Sequence, residues 1–254
     1  VKIALIDTAT TEAVIIRYPK DNFDMPDTSV KQSTFSLERP LDVVVMAAGK
    51  GTRMKSRLPK VLQRLAGKPL LGHVLGTAAQ LKARSAVVIT GHGAAEVEAA
   101  VAQTPGALAI KFVRQEPQLG TGHAVQQAVP ELADDGLVVV LSGDVPLTQA
   151  DTLKALIACV REGAASADCL ALLTLDMPNP TGYGRIVRNV QGDHVLAIVE
   201  QKDASPEQLQ IQEVYSGIMA VPAKQLKTWL AKLDNHNAQG EYYLTDVVKW
   251  AVAD

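Results

Sequence analysis

The run Leu41-Asp42-Val43-Val44-Val45-Met46 is apolar apart from Asp42 and passes directly into Ala47-Ala48-Gly49-Lys50-Gly51-Thr52-Arg53-Met54, with Pro59-Lys60 a few residues on. An apolar run of this length, broken only by Asp42, suits a strand buried in a parallel sheet with helices over it. Two glycines and a group of basic side chains directly after such a strand are how a phosphate-binding loop begins.

Charge patterning points the same way. Between Val43 and Ala95 there is no Asp or Glu, while Lys50, Arg53, Lys55, Arg57, Lys60, Arg64, Lys68, Lys82 and Arg84 all lie there, in a chain whose formal net charge is only -2. A solvated basic helix face would normally carry Glu for i,i+4 pairing. Its absence favours a local anion site over general affinity for nucleic acid.

The rest of the core reads as alternating elements. Helices are expected over 69–81, 94–103, 121–129 and 148–160, with strands over 86–90, 109–115 and 137–142. Repeats of this length imply an α/β fold, a mostly parallel Rossmann-like sheet with helices on both faces. Past residue 165 the runs 169–175, 185–189, 195–200 and 214–221 are strand-like, extending the sheet and forming a pocket for a second substrate, before helices return at 223–233 and 244–252. Residues 1–40 stand apart as an extension with two β-prone runs, 1–7 and 13–18, followed by a polar stretch, while 41–254 form the main domain. Neither a secretory nor a mitochondrial leader is expected, no apolar run approaches a membrane span, and Cys159 and Cys169 suit a reducing cytosol.

Ligands on such sheets bind beyond the carboxyl ends of the strands, which makes the loops 47–60, 115–122 and 142–146 candidates for one site. Glycines at 120 and 122 would let backbone N–H groups face a ligand, and Asp144 would project a carboxylate into the crevice lined by the basic loop. A carboxylate facing phosphate-binding cations suggests Mg²⁺, although an Asp fixing a turn before Pro146 is the simpler alternative. A dinucleotide fingerprint fails, because Met54 stands where a third small residue is needed and no acidic residue follows about twenty positions later. No P-loop string occurs, and the five histidines show no ligand spacing.

The glycine loop with Leu58-Pro59-Lys60 resembles the signature of sugar-phosphate nucleotidyltransferases. Five further segments narrow the resemblance: Gln118-Leu119-Gly120-Thr121-Gly122-His123-Ala124, Gly143-Asp144-Val145-Pro146-Leu147, Pro180-Thr181-Gly182-Tyr183-Gly184-Arg185-Ile186, Glu200-Gln201-Lys202-Asp203-Ala204 and Asn237-Ala238-Gln239-Gly240-Glu241-Tyr242-Tyr243-Leu244-Thr245-Asp246. Together they look like the N-terminal uridylyltransferase domain of the bacterial bifunctional N-acetylglucosamine-1-phosphate uridyltransferase and glucosamine-1-phosphate acetyltransferase family.

The resemblance implies a GT-A-like fold and a cytoplasmic enzyme joining UTP to N-acetylglucosamine 1-phosphate, with release of pyrophosphate. By the same resemblance Arg53 and Lys60 are catalytic, and Lys60 also binds nucleotide together with Met46, Ala47, Ala48, Gly49, Gln115, Gly120, Thr121, Ser142, Gly143 and Asp144. Asp144 would ligate Mg²⁺, and Gly184, Glu200 and Tyr215 would line the sugar. Tyr215 stands where many members have Asn, and Ser142 where an aromatic residue is frequent. The chain ends before the family's later Asn that shares the metal, and no hexapeptide repeats follow. The expectation is therefore a domain cut short at its C-terminal end that transfers no acetyl group. The resemblance further implies that full-length relatives are trimeric through a half not present here, so that a monomer is expected for this chain. Two alternatives stay open: another nucleotide or sugar phosphate, and a nucleotide-binding module without catalysis.

Overall fold

The computed structural model describes residues 2–7, 13–16, 39–51, 54–103, 108–163, 169–192 and 194–254. Strands β1 (Lys2–Asp7) and β2 (Ala13–Ile16) come first and pair antiparallel. The apolar run 41–46 forms β3 (Leu41–Met46), followed by a two-residue hairpin, β4 (Arg64–Leu65) and β5 (Lys68–Pro69). Then α1 (Leu70–Gln80), β6 (Ser85–Thr90), α2 (Ala94–Ala102), β7 (Ile110–Arg114), α3 (Thr121–Ala128), β8 (Leu137–Ser142) and α4 (Ala150–Gly163) alternate as the periodicity predicts. The second half supplies β9 (Cys169–Asp176), β10 (Arg185–Arg188), β11 (Val195–Val199), β12 (Glu213–Pro222), α5 (Ala223–Leu230) and α6 (Val247–Ala253). The last helix starts later than its apolar pattern, because 244–246 wind as a 3-10 turn.

One mixed sheet runs β2-β1-β9-β12-β8-β3-β6-β7. The stretch β8-β3-β6-β7 is parallel, β12 enters antiparallel between β8 and β9, and β1 lies parallel to β9. The N-terminal runs thus add two strands to the far edge, and β10–β11 branches from the start of β12 as a hairpin.

Both faces of the central strands are covered. Val44, Ile89 and Val140 pack under α3, α5 and α6, while Val43, Val45, Val88 and Leu141 pack under α1, α2 and α4. Each such Val or Leu, removed fully from water, contributes about 1.5–3 kcal/mol, which is why β3, β6 and β8 need no polar alternation. Asp42 interrupts β3 at its N-terminal end, where Arg84 Nε and Nη2 donate to its two oxygens at 3.1 and 2.5 Å and Ser85 adds a third bond at 2.8 Å. This buried, fully partnered carboxylate lies at the end of the sheet opposite the glycine loop. No described helix is long and apolar enough to cross a membrane.

Candidate active site

The glycine loop leaves β3 between the carboxyl ends of its two neighbours. Ala47 N–H donates to Ile89 O of β6, and Gly143 N–H, just past β8, donates to Met46 O, both at 2.9 Å. A Cβ on Gly143 would stand 3.0 Å from Met46 O, so a small residue is required where the two loops meet. From Ala48 onward the loop is free to face a ligand: the N–H groups of Ala48, Gly49, Lys50 and Gly51 have no acceptor among the described residues. Successive unpaired N–H groups in a turn with Gly51 at φ +57 form a concave donor surface suited to an anion.

These groups open on a cleft of about 460 Å³ whose walls include Met46, Ala47, Ala48, Gly49, Lys60, Gln115, Gly120, Thr121, Ser142 and Asp144. Ten of the residues that the resemblance singles out therefore meet in one place, and Gly143 buttresses it from behind. Arg53 lies outside the described residues. Lys50, Gln118 and Glu241 also line the cleft, with no role assigned to them from sequence.

Lys60 begins a 3-10 turn (Lys60–Leu62) whose Val61 and Leu62 are buried, which carries its side chain to the cleft wall. Its ammonium pairs with the Asp144 carboxylate, with side-chain exposures of 38% and 26%. A pair this open to water contributes at most about 1 kcal/mol to folding. Its interest is positional: one cation and one carboxylate face each other where phosphate oxygens would enter.

The opposite wall is built by docking 241–244 onto 119–122. Gly122 N–H donates to Tyr242 O at 2.7 Å, Tyr242 N–H to Leu119 O at 2.8 Å, and Leu244 N–H to Thr121 Oγ1 at 3.0 Å. The approach is so close that Cβ atoms on Gly120 and Gly122 would lie 2.6 and 2.9 Å from Tyr242 O. Gln115 is buried, and its Nε2 donates to Gly120 O at 2.8 Å, leaving Oε1 without a donor among the described residues.

A second cluster lies at the foot of β10–β12. Gly184 packs against β11, where a Cβ would be 2.8 Å from Ile198 Cγ2 and 3.7 Å from Glu200 Cδ. Thr245 Oγ1 donates to Glu200 Oε1 at 3.0 Å. Burial pushes the Glu200 carboxyl above its ordinary range against the lowering effect of that bond, and Asp203, Asp246 and Glu241 reinforce the rise. Tyr243, whose hydroxyl donates to Asp203 Oδ2 at 3.1 Å, is pushed up to about 12, chiefly by burial. Tyr215 is buried in the core, 8% exposed, with a hydroxyl that is sealed from solvent and unpartnered; burial first, and then Glu200, raise its pKa. In this arrangement its ring packs beside the corner without presenting its hydroxyl at the surface. Thr245 was not among the sequence candidates, and only its place in the motif 237–246 hinted at it.

Residues 43–172, more than half of the chain, match the MobA-like NTP transferase domain. The chain belongs to that family. Among curated proteins it is 72% identical over 217 residues to the bifunctional protein GlmU of Albidiferax ferrireducens, covering 84% of this chain and 45% of that protein. The corresponding proteins of Acidovorax ebreus and Cellvibrio japonicus are 68% and 55% identical, with 84% of this chain covered in each case and 44% and 45% of those proteins. The chain spans somewhat less than half the length of these relatives. A UDP-glucose pyrophosphorylase complexed with UDP-glucose shares the fold, with a TM-score of 0.68 at 16% identity over 84% of this chain and 86% of that one. The UDP-glucose pyrophosphorylase from Acinetobacter baumanii gives 0.62 at 20% identity, covering 84% and 83%.

Proposed function

We propose that this protein transfers the uridylyl group of UTP to N-acetylglucosamine 1-phosphate, forming UDP-N-acetylglucosamine and pyrophosphate. The observation that carries the reading is the cleft itself, lined by unpaired N–H groups at 48–51 and by the Lys60–Asp144 pair, with the Lys60 side chain packed against Gly51. The reaction needs no protein nucleophile. A phosphate oxygen of the sugar phosphate attacks the α-phosphorus, and the bond to the pyrophosphate oxygen breaks, so catalysis lies in positioning and charge stabilisation.

Lys60 exchanges its bond to Asp144 for phosphate oxygens and holds the charge that builds on the departing pyrophosphate. Arg53 is assigned the same task on the strength of the loop motif. The N–H groups of the glycine loop hold the nucleotide from the strand side. Gln115, with Oε1 unoccupied, can accept from N3–H of uracil, a donor that cytosine lacks. Gly184 and Glu200 face the sugar.

The donor set suits Mg²⁺, a hard ion held by one or two carboxylates together with substrate phosphates. Asp144 would be the protein ligand, facing the cleft beside Lys60. When bound, the ion neutralises charge on the triphosphate. The product is a precursor of peptidoglycan and lipopolysaccharide, and the reaction belongs in the cytoplasm.

A pyrophosphate-release assay tests the reading. UTP with N-acetylglucosamine 1-phosphate should exceed both CTP and glucose 1-phosphate controls by about 10⁴-fold, as expected where a site hydrogen-bonds groups that the analogue lacks. Equal rates with all of them, or none, would refute it.

A further inference from the structure

The turn at 180–184 is held from beneath by a single buried side chain. Ile186 pairs with Ile198, and both enter the core under α3, α5 and α6. Cross-strand partners share a face, so Arg185 and its partner Val199 lie on the reverse side of the β10–β11 hairpin. Arg185 is only 2% exposed. Its Nη1 donates to the Tyr183 carbonyl, and its Nη2 donates to Gln201 Oε1 at 2.8 Å. The same Oε1 accepts the N–H of Gly182 at 3.1 Å.

Arg185 and Gln201 therefore fasten both polar groups at the centre of the turn. Gly184 follows immediately; its carbonyl accepts Tyr215 N–H at 2.9 Å, and its α-carbon abuts Ile198 and Glu200. Gln201 adjoins Glu200 in the chain. A bracket on one side of the hairpin thus sets the backbone that forms the corner on the other.

Packing alone does not call for a guanidinium here. Arg185 Nε is sealed from solvent without an acceptor, and no carboxylate among the described residues lies within ion-pair reach. A buried cation lacking a counter-ion is strongly unfavourable, and an apolar side chain would fill the same space at less cost. What arginine supplies is a planar fork reaching two diverging acceptors, which lysine cannot match.

We propose that Arg185 is a positioning residue for sugar recognition. Acting through Gln201 and the 182–184 turn, it holds the Gly184 backbone and the Glu200 carboxylate in register for the hydroxyl and amide groups of the sugar. The inference rests on the uridylyltransferase reading given above. It separates two halves of the site: loss of Arg185 should loosen the sugar and spare the nucleotide, whose contacts are built on the loops after β3, β7 and β8.

The test is calorimetric titration of UTP and of UDP-N-acetylglucosamine, with Mg²⁺, into the parent chain and into Arg185→Lys, Gln201→Leu and Gln201→Glu, with thermal unfolding of each. Arg185→Lys and Gln201→Leu should weaken UDP-N-acetylglucosamine on the order of tenfold and UTP less than about twofold. Gln201→Glu keeps both acceptor roles and should stay within about threefold of the parent for both ligands. A purely structural role would instead lower Tm without that split. Equal loss for the two ligands, no loss, or Gln201→Glu behaving like Gln201→Leu would overturn the proposal. If Arg185→Lys does not fold, the Gln201 pair carries the same comparison. A parent chain that binds UDP-N-acetylglucosamine no better than UDP-glucose would instead remove the functional reading, and this inference with it.

Discussion

Replacing Gly120 with alanine tests the wall of the cleft most sharply. Gly120 sits at φ 111, ψ 175, a region that is essentially restricted to glycine, where strain costs about 1–3 kcal/mol. The new Cβ would also lie 2.6 Å from Tyr242 O and 2.9 Å from both Tyr242 N and Glu241 Cβ. These are mostly backbone atoms held by the Gly122–Tyr242 and Tyr242–Leu119 bonds of 2.7 and 2.8 Å, so relief requires moving a whole segment. Overpacking of that kind costs about 1–3 kcal/mol more. The total, roughly 2–6 kcal/mol, corresponds to a Tm lowered by about 5–20 °C in a domain of this size. Gly192→Ala is the control: it shares a positive φ of +77 but has nothing within 4 Å of the added carbon, which leaves only a backbone cost of about 1–2 kcal/mol. Thermal unfolding followed by circular dichroism measures both variants, and UTP titration should find weaker binding in Gly120→Ala alone. Equal Tm losses in the two variants would refute the close-packing argument.

Lys60→Met should lower turnover by about 10²–10³-fold, the cost typical of removing one preorganised charge-stabilising donor, while shifting Tm little because the pair with Asp144 is solvent-exposed; pyrophosphate release and thermal unfolding check the two halves. Arg84→Met leaves the buried Asp42 carboxylate with Ser85 alone and should destabilise the fold by about 3 kcal/mol in urea unfolding, in line with breaking other buried pairs. Glu200 binds its proton more tightly in the folded state than in the unfolded chain, so its contribution is present at low pH and is lost as pH rises from the ordinary glutamate range through the raised folded value. Glu200→Gln, which keeps an acceptor for Thr245, should therefore match the parent in acid and gain relative stability as pH rises; a constant difference across that range would contradict the assignment.

Much of the framework was legible because it is local. The buried strands declare themselves as the apolar runs 41–46, 86–90 and 137–142, and glycine or proline marks several element boundaries, so the expected and observed helices differ mainly at their ends. Strand partners were less legible. Nothing within 213–222 indicates that β12 inserts antiparallel between β8 and β9, or that Lys2–Asp7 joins β9 in parallel, since both pairings depend on chain distant in sequence. The site divides in the same way. The glycine loop, Lys60 and Asp144 follow from charge pattern and motif, whereas Glu241 reaches the cleft only because 241–244 docks on the glycines at 120 and 122. Tyr215 shows the limit of carrying a role over by position: a larger side chain at that place turns into the core, and its hydroxyl is enclosed there.

The most direct test of the central claim is calorimetric binding of UDP-N-acetylglucosamine to this chain, with and without Mg²⁺, beside UDP-glucose and a CDP-sugar. Selective binding of UDP-N-acetylglucosamine is the predicted result, because on this account the cleft at Gln115 reads the base and the separate cluster at Gly184 and Glu200 reads the sugar. Equal affinity for all three, or for none, would contradict it.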